Sequence, residues 1–147
     1  MTGQTIRQFS LSWDMFCNAM VMLQDGRVLI DGGTIQYDPF FGEPRTAVFD
    51  PDANAGAGAF VNVQSMAHGR WYPTPTVLGD GRVLIFSGLT ETGSTNTTTE
   101  IYSATGWTTP VSAGWTPPLY PRMHLLPNGK VFYSGATTTS RLFDPAS

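Results

Sequence analysis

The sequence predicts an all-β chain assembled from a repeated hairpin, and three observations lead there. The first is composition: 16 glycines, 11 prolines and 19 threonines make up nearly a third of the 147 residues. Gly and Pro interrupt helices, whereas Thr, Val and Tyr favour strands. The second is a recurrent string. Asp25-Gly26-Arg27-Val28-Leu29-Ile30-Asp31-Gly32-Gly33 returns as Asp80-Gly81-Arg82-Val83-Leu84-Ile85-Phe86-Ser87-Gly88, and more loosely as Asn128-Gly129-Lys130-Val131-Phe132-Tyr133-Ser134-Gly135. The third is what flanks each copy: an apolar run precedes it, at residues 20–23, 76–78 and 125–126, and another follows its first pair.

Each copy opens on Asp-Gly or Asn-Gly, the pairs that best tolerate the positive φ of a two-residue hairpin turn, so each unit reads as an antiparallel hairpin. The copies start at residues 25, 80 and 128 and are thus 55 and 48 residues apart. That spacing is close to the roughly 40–50 residues of a β-propeller blade. A third strand follows each hairpin: Thr46-Ala47-Val48-Phe49-Asp50-Pro51, then Thr99-Glu100-Ile101-Tyr102-Ser103, then Ser140-Arg141-Leu142-Phe143-Asp144-Pro145. Outer strands are predicted at 60–63 and 106–109, the latter anchored by Trp107. The chain therefore reads as one partial propeller domain over 1–147, about two and three-quarter blades, at about 13–66, 67–115 and, incomplete, 116–147. Residues 37–44, 53–59 and 91–98 are predicted as loops, with no helix anywhere. Propellers close with about four to eight blades, so a fragment of a longer propeller is expected. Its open blade edges would also permit self-association.

Charge and hydropathy exclude other classes. Eight basic against 11 acidic side chains, a formal net charge of -3, leave no basic stripe for phosphates, so no nucleic-acid partner is expected. No apolar run approaches the roughly 18 residues of a membrane span. Residues 1–10 lack the apolar core of a secretory signal. Asp31, Asp50, Asp80 and Asp144 read as turn and strand-end residues that recur with the repeats. There is no nucleophile elbow, phosphate loop, zinc-type cluster or heptad pattern. Asn96-Thr97-Thr98 fits the glycosylation sequon.

Three residues stand at equivalent positions upstream of the turns. Cys17, Tyr72 and Tyr120 lie eight residues before Asp25, Asp80 and Asn128. This register puts them on the innermost strands of successive blades, near the propeller axis. A thiol and a phenol on neighbouring inner strands can meet there; equally, all three can be ordinary packing residues. The single cysteine cannot form an intrachain disulfide.

These residues also carry a family resemblance. Asp14-Met15-Phe16-Cys17, the Asp25-Gly26-Arg27-Val28-Leu29 turn, Gly69-Arg70-Trp71-Tyr72-Pro73-Thr74 and Asp80-Gly81-Arg82-Val83 resemble the galactose oxidase/glyoxal oxidase family of copper radical oxidases. Leu119-Tyr120-Pro121-Arg122-Met123-His124-Leu125-Leu126-Pro127, with the Asn128-Gly129-Lys130-Val131-Phe132 that follows, is similar to the next blade of its bacterial kelch-type members. The likeness runs from about Trp13 to Pro145. It implies a seven-bladed kelch-type β-propeller holding one copper ion near its axis. It also implies a thioether between Cys17 and the ring of Tyr72, whose phenolate binds the copper and whose ring holds a radical. The implied reaction oxidises a small alcohol, aldehyde or carbohydrate with O2, giving hydrogen peroxide. Arg122 lies near where the family places a substrate-binding arginine, and Arg70 and Trp71 flank Tyr72.

The departures from that pattern are as specific. The family's other copper ligands, an axial tyrosine followed by a histidine and a second histidine, belong to later blades and a C-terminal region. His68 and His124 do not fall on those motifs; the first reads as a loop residue and the second as an inner-strand histidine. Where galactose oxidase stacks a tryptophan over the modified tyrosine, the aligned residue is Thr90. The resemblance implies an exported enzyme and an inactive chain when isolated at this length. The alternative is a non-catalytic kelch module that binds a carbohydrate or protein.

Overall fold

The computed structural model describes residues 6–146, and they form antiparallel sheets with almost no helix. The first sheet has strand order β1-β2-β5-β6, from Ala19–Met22, Val28–Asp31, Thr46–Asp50 and Ala59–Val63. Between β2 and β5 a small hairpin is inserted, β3 (Thr34–Gln36) against β4 (Phe41–Gly42). The second sheet runs β7 (Thr74–Val77), β8 (Val83–Phe86), β9 (Thr98–Ser103) and β10 (Gly106–Trp107), with β11 (Val111–Ser112) also on β9. The third holds β12 (Arg122–Leu125), β13 (Val131–Ser134) and β14 (Arg141–Phe143). None of the sheets closes on itself, and β7 lies between β1 and β12, so the first strands of the three sheets sit side by side. This arrangement is consistent with a fragment of a β-propeller.

The repeated strings make the hairpins, but with a different turn from the two-residue one predicted. Leu23 donates its amide to the Arg27 carbonyl at 2.8 Å and Gly26 to the Leu23 carbonyl at 3.1 Å, which leaves three residues in the loop. Only the glycine takes positive φ, at 85° for Gly26 and Gly81 and 81° for Gly129, the pattern of a three-residue hairpin ending in a left-handed glycine. The Asp or Asn does a different job. Its Oδ1 accepts the amide two residues on, at 3.1 Å in all three copies. In the first two, the following arginine also closes back on the aspartate.

Strand β8 is the centre of the packing. Its side chains alternate between faces, as strand geometry requires. Val83 and Ile85 join Leu29 and Val48 of the first sheet, with Met66 and Trp107; Leu84 and Phe86 join Leu78, Ala113 and Val131 toward the third. All four β8 residues are fully buried. Trp107 is the anchor predicted for the outer strand, and its indole N–H donates to Thr46 Oγ1 at 3.1 Å.

Two stretches predicted as bare loops carry structure. Residues 37–44 contain β4, and residues 53–59 contain one helical turn, Ala53–Gly56, in which Asn54 and Ala55 are left-handed. The β3–β4 hairpin runs against the segment that carries Tyr72. A Cβ at Gly42 would collide with the Leu89 carbonyl, so glycine is required for that approach. Among the described residues no helix is long and apolar enough to cross a membrane.

Candidate functional site

Cys17, Tyr72 and Tyr120 each sit two residues before the first strand of their sheet, on the turn entering it rather than on the strand itself. All three have left-handed backbones, with φ of 58°, 66° and 45°. For side chains of this size that conformation is disfavoured by about 1–2 kcal/mol per residue. Main-chain hydrogen bonds hold them there in series. The Tyr72 amide donates to the Cys17 carbonyl at 3.0 Å, and the Tyr120 amide donates to the Tyr72 carbonyl at 2.9 Å. The structure therefore links the three aligned residues directly, turn to turn.

The side chains converge as well. A hydrogen bond with the Cys17 side chain, followed by desolvation, raises the Tyr72 phenol above its ordinary range. The Tyr120 ring stacks on Tyr72 at 4.3 Å between centroids and 25° between planes. Its hydroxyl donates to the Asn18 carbonyl at 3.1 Å. On the other face of Tyr72 lies Trp71, at 3.9 Å and 9°. An indole thus covers Tyr72 although Thr90, the aligned position, supplies none. Trp71 in turn stacks on Phe40 at 4.3 Å and 10°.

Arg70 anchors this segment from beneath. Its side chain is fully buried and donates to the carbonyls of Ser87 at 2.8 Å and Thr98 at 3.2 Å, and to Glu100 Oε2 at 2.9 Å. Burial pulls its guanidinium below the usual range, opposed by Glu100 and Asp31. Asp31 is equally buried, and neither carboxylate oxygen has a hydrogen-bond partner. Desolvation pushes its carboxyl up to about 8, against the pull of Arg70. Asp31 does end its strand, as predicted, but it does not recur: Phe86 and Ser134 occupy its place in the other copies. That mismatch was the available signal for a buried carboxyl.

The remaining candidates are placed as follows. Arg122 opens β12, exposed, and lines a cleft of about 430 Å³ with Tyr120, Tyr133 and Thr137; Cys17 and Tyr72 do not line it. His68 is an exposed loop residue whose Nδ1 lies 3.2 Å from Glu91. His124 is exposed on β12 rather than satisfied within the sheet. Asn96 of the sequon is buried, and its Oδ1 accepts both the amide and the hydroxyl of Thr98, which removes it as a surface acceptor. Sequence reasoning missed Asp14, Tyr37 and Phe40. Tyr37 donates to Asp14 Oδ2 at 2.6 Å, and its ring lies 5.6 Å from Phe40 and 5.4 Å from Phe16.

The donor set can be tested against copper. The inner turns offer a thiol and two phenols and no imidazole, and no three His, Cys, Asp or Glu side chains gather into a metal-holding group among the described residues. Imidazole and several donors are what bind copper selectively, so these residues do not make a copper site by themselves.

No family model matches the chain, and no curated protein matches it. Solved structures do. One is described as a novel fungal alcohol oxidase with catalytic diversity among the AA5 family, in complex with copper. It superposes with a TM-score of 0.66 at 14% identity, over 82% of this chain and 27% of that chain. The present chain thus shares the fold of that oxidase while spanning about a quarter of its length.

Proposed function

We propose that this chain is a propeller segment of an exported, galactose oxidase-like copper radical oxidase, with Cys17 and Tyr72 as its cross-linked redox pair. On this reading it forms two and three-quarter blades of a seven-bladed kelch-type propeller, divided at about residues 66 and 115. The observation that carries the reading is the joining of the two strained turns that present Cys17 and Tyr72, where the Tyr72 amide donates to the Cys17 carbonyl at 3.0 Å. The fold likeness to a copper alcohol oxidase supports it.

On this reading Tyr72 would supply one phenolate donor, and the imidazole donors would have to come from other parts of the whole oxidase. The part played by this chain is to prepare the phenol. A thioether forms as Cys17 loses its S–H hydrogen and the Tyr72 ring loses a C–H hydrogen, and dioxygen accepts both with their electrons as hydrogen peroxide. Sulfur on the ring makes removal of one electron from the phenol easier. Trp71 and Tyr120 sandwich that ring and fix its plane. Arg70, held by Glu100 and two carbonyls, fixes the turn, and Arg122 is the residue available to bind a substrate hydroxyl or carbonyl in the cleft beside Tyr120.

The test is covalent and needs no turnover. Copper and then oxygen are added to the longest natural chain that carries this segment, and its intact mass is recorded. The expected result is loss of two hydrogens, a peptide joining residue 17 to residue 72, and no mass change in Cys17→Ser. An unchanged mass with a free thiol would refute the reading and leave a non-catalytic propeller module.

A further inference from the structure

We propose that the stacked rings running from Tyr120 to Tyr37 form a one-electron relay, with Tyr37 as its terminus and Asp14 as the base that takes its proton. The path is continuous in space. Tyr120 lies on Tyr72, Tyr72 on Trp71 and Trp71 on Phe40, with centroids 4.3, 3.9 and 4.3 Å apart and planes within 25° of parallel. Phe40 then meets Tyr37 at 5.6 Å. Its middle is buried and its ends are open: Trp71 is 8% exposed, whereas Tyr120 and Tyr37 are 45% and 52% exposed. Trp71 and the tyrosines are the oxidisable stations, and Phe40 is the bridge between the indole and the surface phenol.

Proton bookkeeping picks the terminus. A phenol that loses an electron becomes a strong acid, so oxidation settles where a base is already hydrogen-bonded. Tyr37 has one, the Asp14 carboxylate at 2.6 Å. Tyr120 donates instead to a main-chain carbonyl. The buried indole N–H of Trp71 has no partner, which makes Trp71 a transit point. Asp14 is itself held: its Oδ1 accepts the Phe16 amide at 2.8 Å and its carbonyl accepts the Thr34 amide at 3.0 Å. Ring packing alone explains the buried stack. It does not explain why an exposed tyrosine at the end of that stack is bonded to a carboxylate.

In the relay step a one-electron oxidant takes an electron from Trp71. Tyr37 refills Trp71, passes its hydroxyl proton to Asp14 Oδ2 and is left as a neutral tyrosyl radical. A one-electron donor in solution, such as ascorbate, then restores the phenol as the proton returns from Asp14. The device drains oxidising equivalents from buried Trp71 to Tyr37 at the surface, and it does not depend on the copper reading.

The test uses the 147-residue chain without copper. A photo-oxidant of the tris-diimine ruthenium class is attached to exposed His68 in a His124→Gln background and quenched after a flash to the one-electron oxidant. The expected result is a short-lived indolyl absorption followed by a fast tyrosyl phase. Tyr37→Phe abolishes that phase and prolongs the indolyl signal. Asp14→Asn keeps the fold but slows the phase by about tenfold or more, as loss of a positioned base does. Phe40→Leu slows it by opening the bridge. A fast tyrosyl phase that survives Tyr37→Phe, or disappears in Tyr72→Phe, overturns the relay. An unchanged rate in Asp14→Asn overturns the role of the base.

Discussion

The two ends of the inner strands make the most instructive comparison in this molecule. At one end of β1, β7 and β12 stand the three hairpin loops; at the other stand the three turns carrying Cys17, Tyr72 and Tyr120. Both ends repeat three times, and both need a left-handed residue. At the hairpin end glycine supplies it without a steric penalty, and an Asp or Asn side chain satisfies the next free amide. At the other end a thiol and two phenols occupy the same backbone region, at about 1–2 kcal/mol each. Strain kept at a position where glycine would remove it points to a side chain that is needed there. On the proposed reading the inner end is the functional end of the strands.

The largest effect is expected beneath the inner turns. Arg70→Met leaves Glu100 buried without its cation, with only the Ala67 amide still donating to its Oε1, which should destabilise the chain by about 3–5 kcal/mol. Replacing both partners with Met and Leu should restore most of that loss, since a buried pair is worth little more than an apolar substitute of similar size. Urea unfolding of the two variants checks this. Near-equal losses in the single and double variants would mean that the bonds from Arg70 to the Ser87 and Thr98 carbonyls, rather than the ion pair, hold the Tyr72 turn.

Asp31 gives the next effect, as a dependence on pH. Unfolded, it ionises near its ordinary 3.8; folded, it holds its proton up to about 8. Its contribution to stability is therefore fully present below about pH 4 and is lost as pH rises toward about 8, with a slope of at most ~1.4 kcal/mol per pH unit. The carboxylates of the hairpin loops behave in the opposite sense: Asp25 and Asp80 are held below their ordinary range by their arginines and lose that contribution only in acid. Asp31→Asn should flatten the pH profile between about 5 and 8. A profile in which wild type and variant stay parallel would mean that Asp31 is ionised in the folded chain.

How much of this was legible depended on whether the information was local. The hairpins were, because Asp-Gly or Asn-Gly between apolar runs needs only its neighbours to form a turn; the extra loop residue depended on which of the two residues took the positive φ. The alignment of Cys17, Tyr72 and Tyr120 was legible because repeats preserve register. Their left-handed backbones were not, since no propensity favours tyrosine there. The relay was invisible for a different reason. Tyr37 and Phe40 lie in the loop between β2 and β5, whose counterparts at residues 87–97 and 135–140 carry no aromatic residue, so neither register nor periodicity could relate them to Trp71. Asp31 shows the intermediate case: a carboxylate aligned with Phe86 and Ser134 was visible as an exception, and only packing could show that nothing satisfies it.

The smallest effect tests the comparison most directly, because it exchanges the chemistry of the two ends. A Cβ at Gly26 would meet nothing within 4 Å, so Gly26→Ala adds backbone strain alone and should cost about 1–2 kcal/mol. Cys17→Gly makes the reverse change. It releases comparable strain and gives up only a partly exposed thiol, so stability should hold level or rise by up to about 1 kcal/mol. Paired urea titrations of the two variants read the difference. A gain at position 17 means that folding alone favours glycine there, and that the cysteine is kept for its sulfur. A loss of more than about 1 kcal/mol would mean that thiol packing outweighs the strain. The left-handed turns would then be a product of packing, and the distinction between the two ends would no longer identify function.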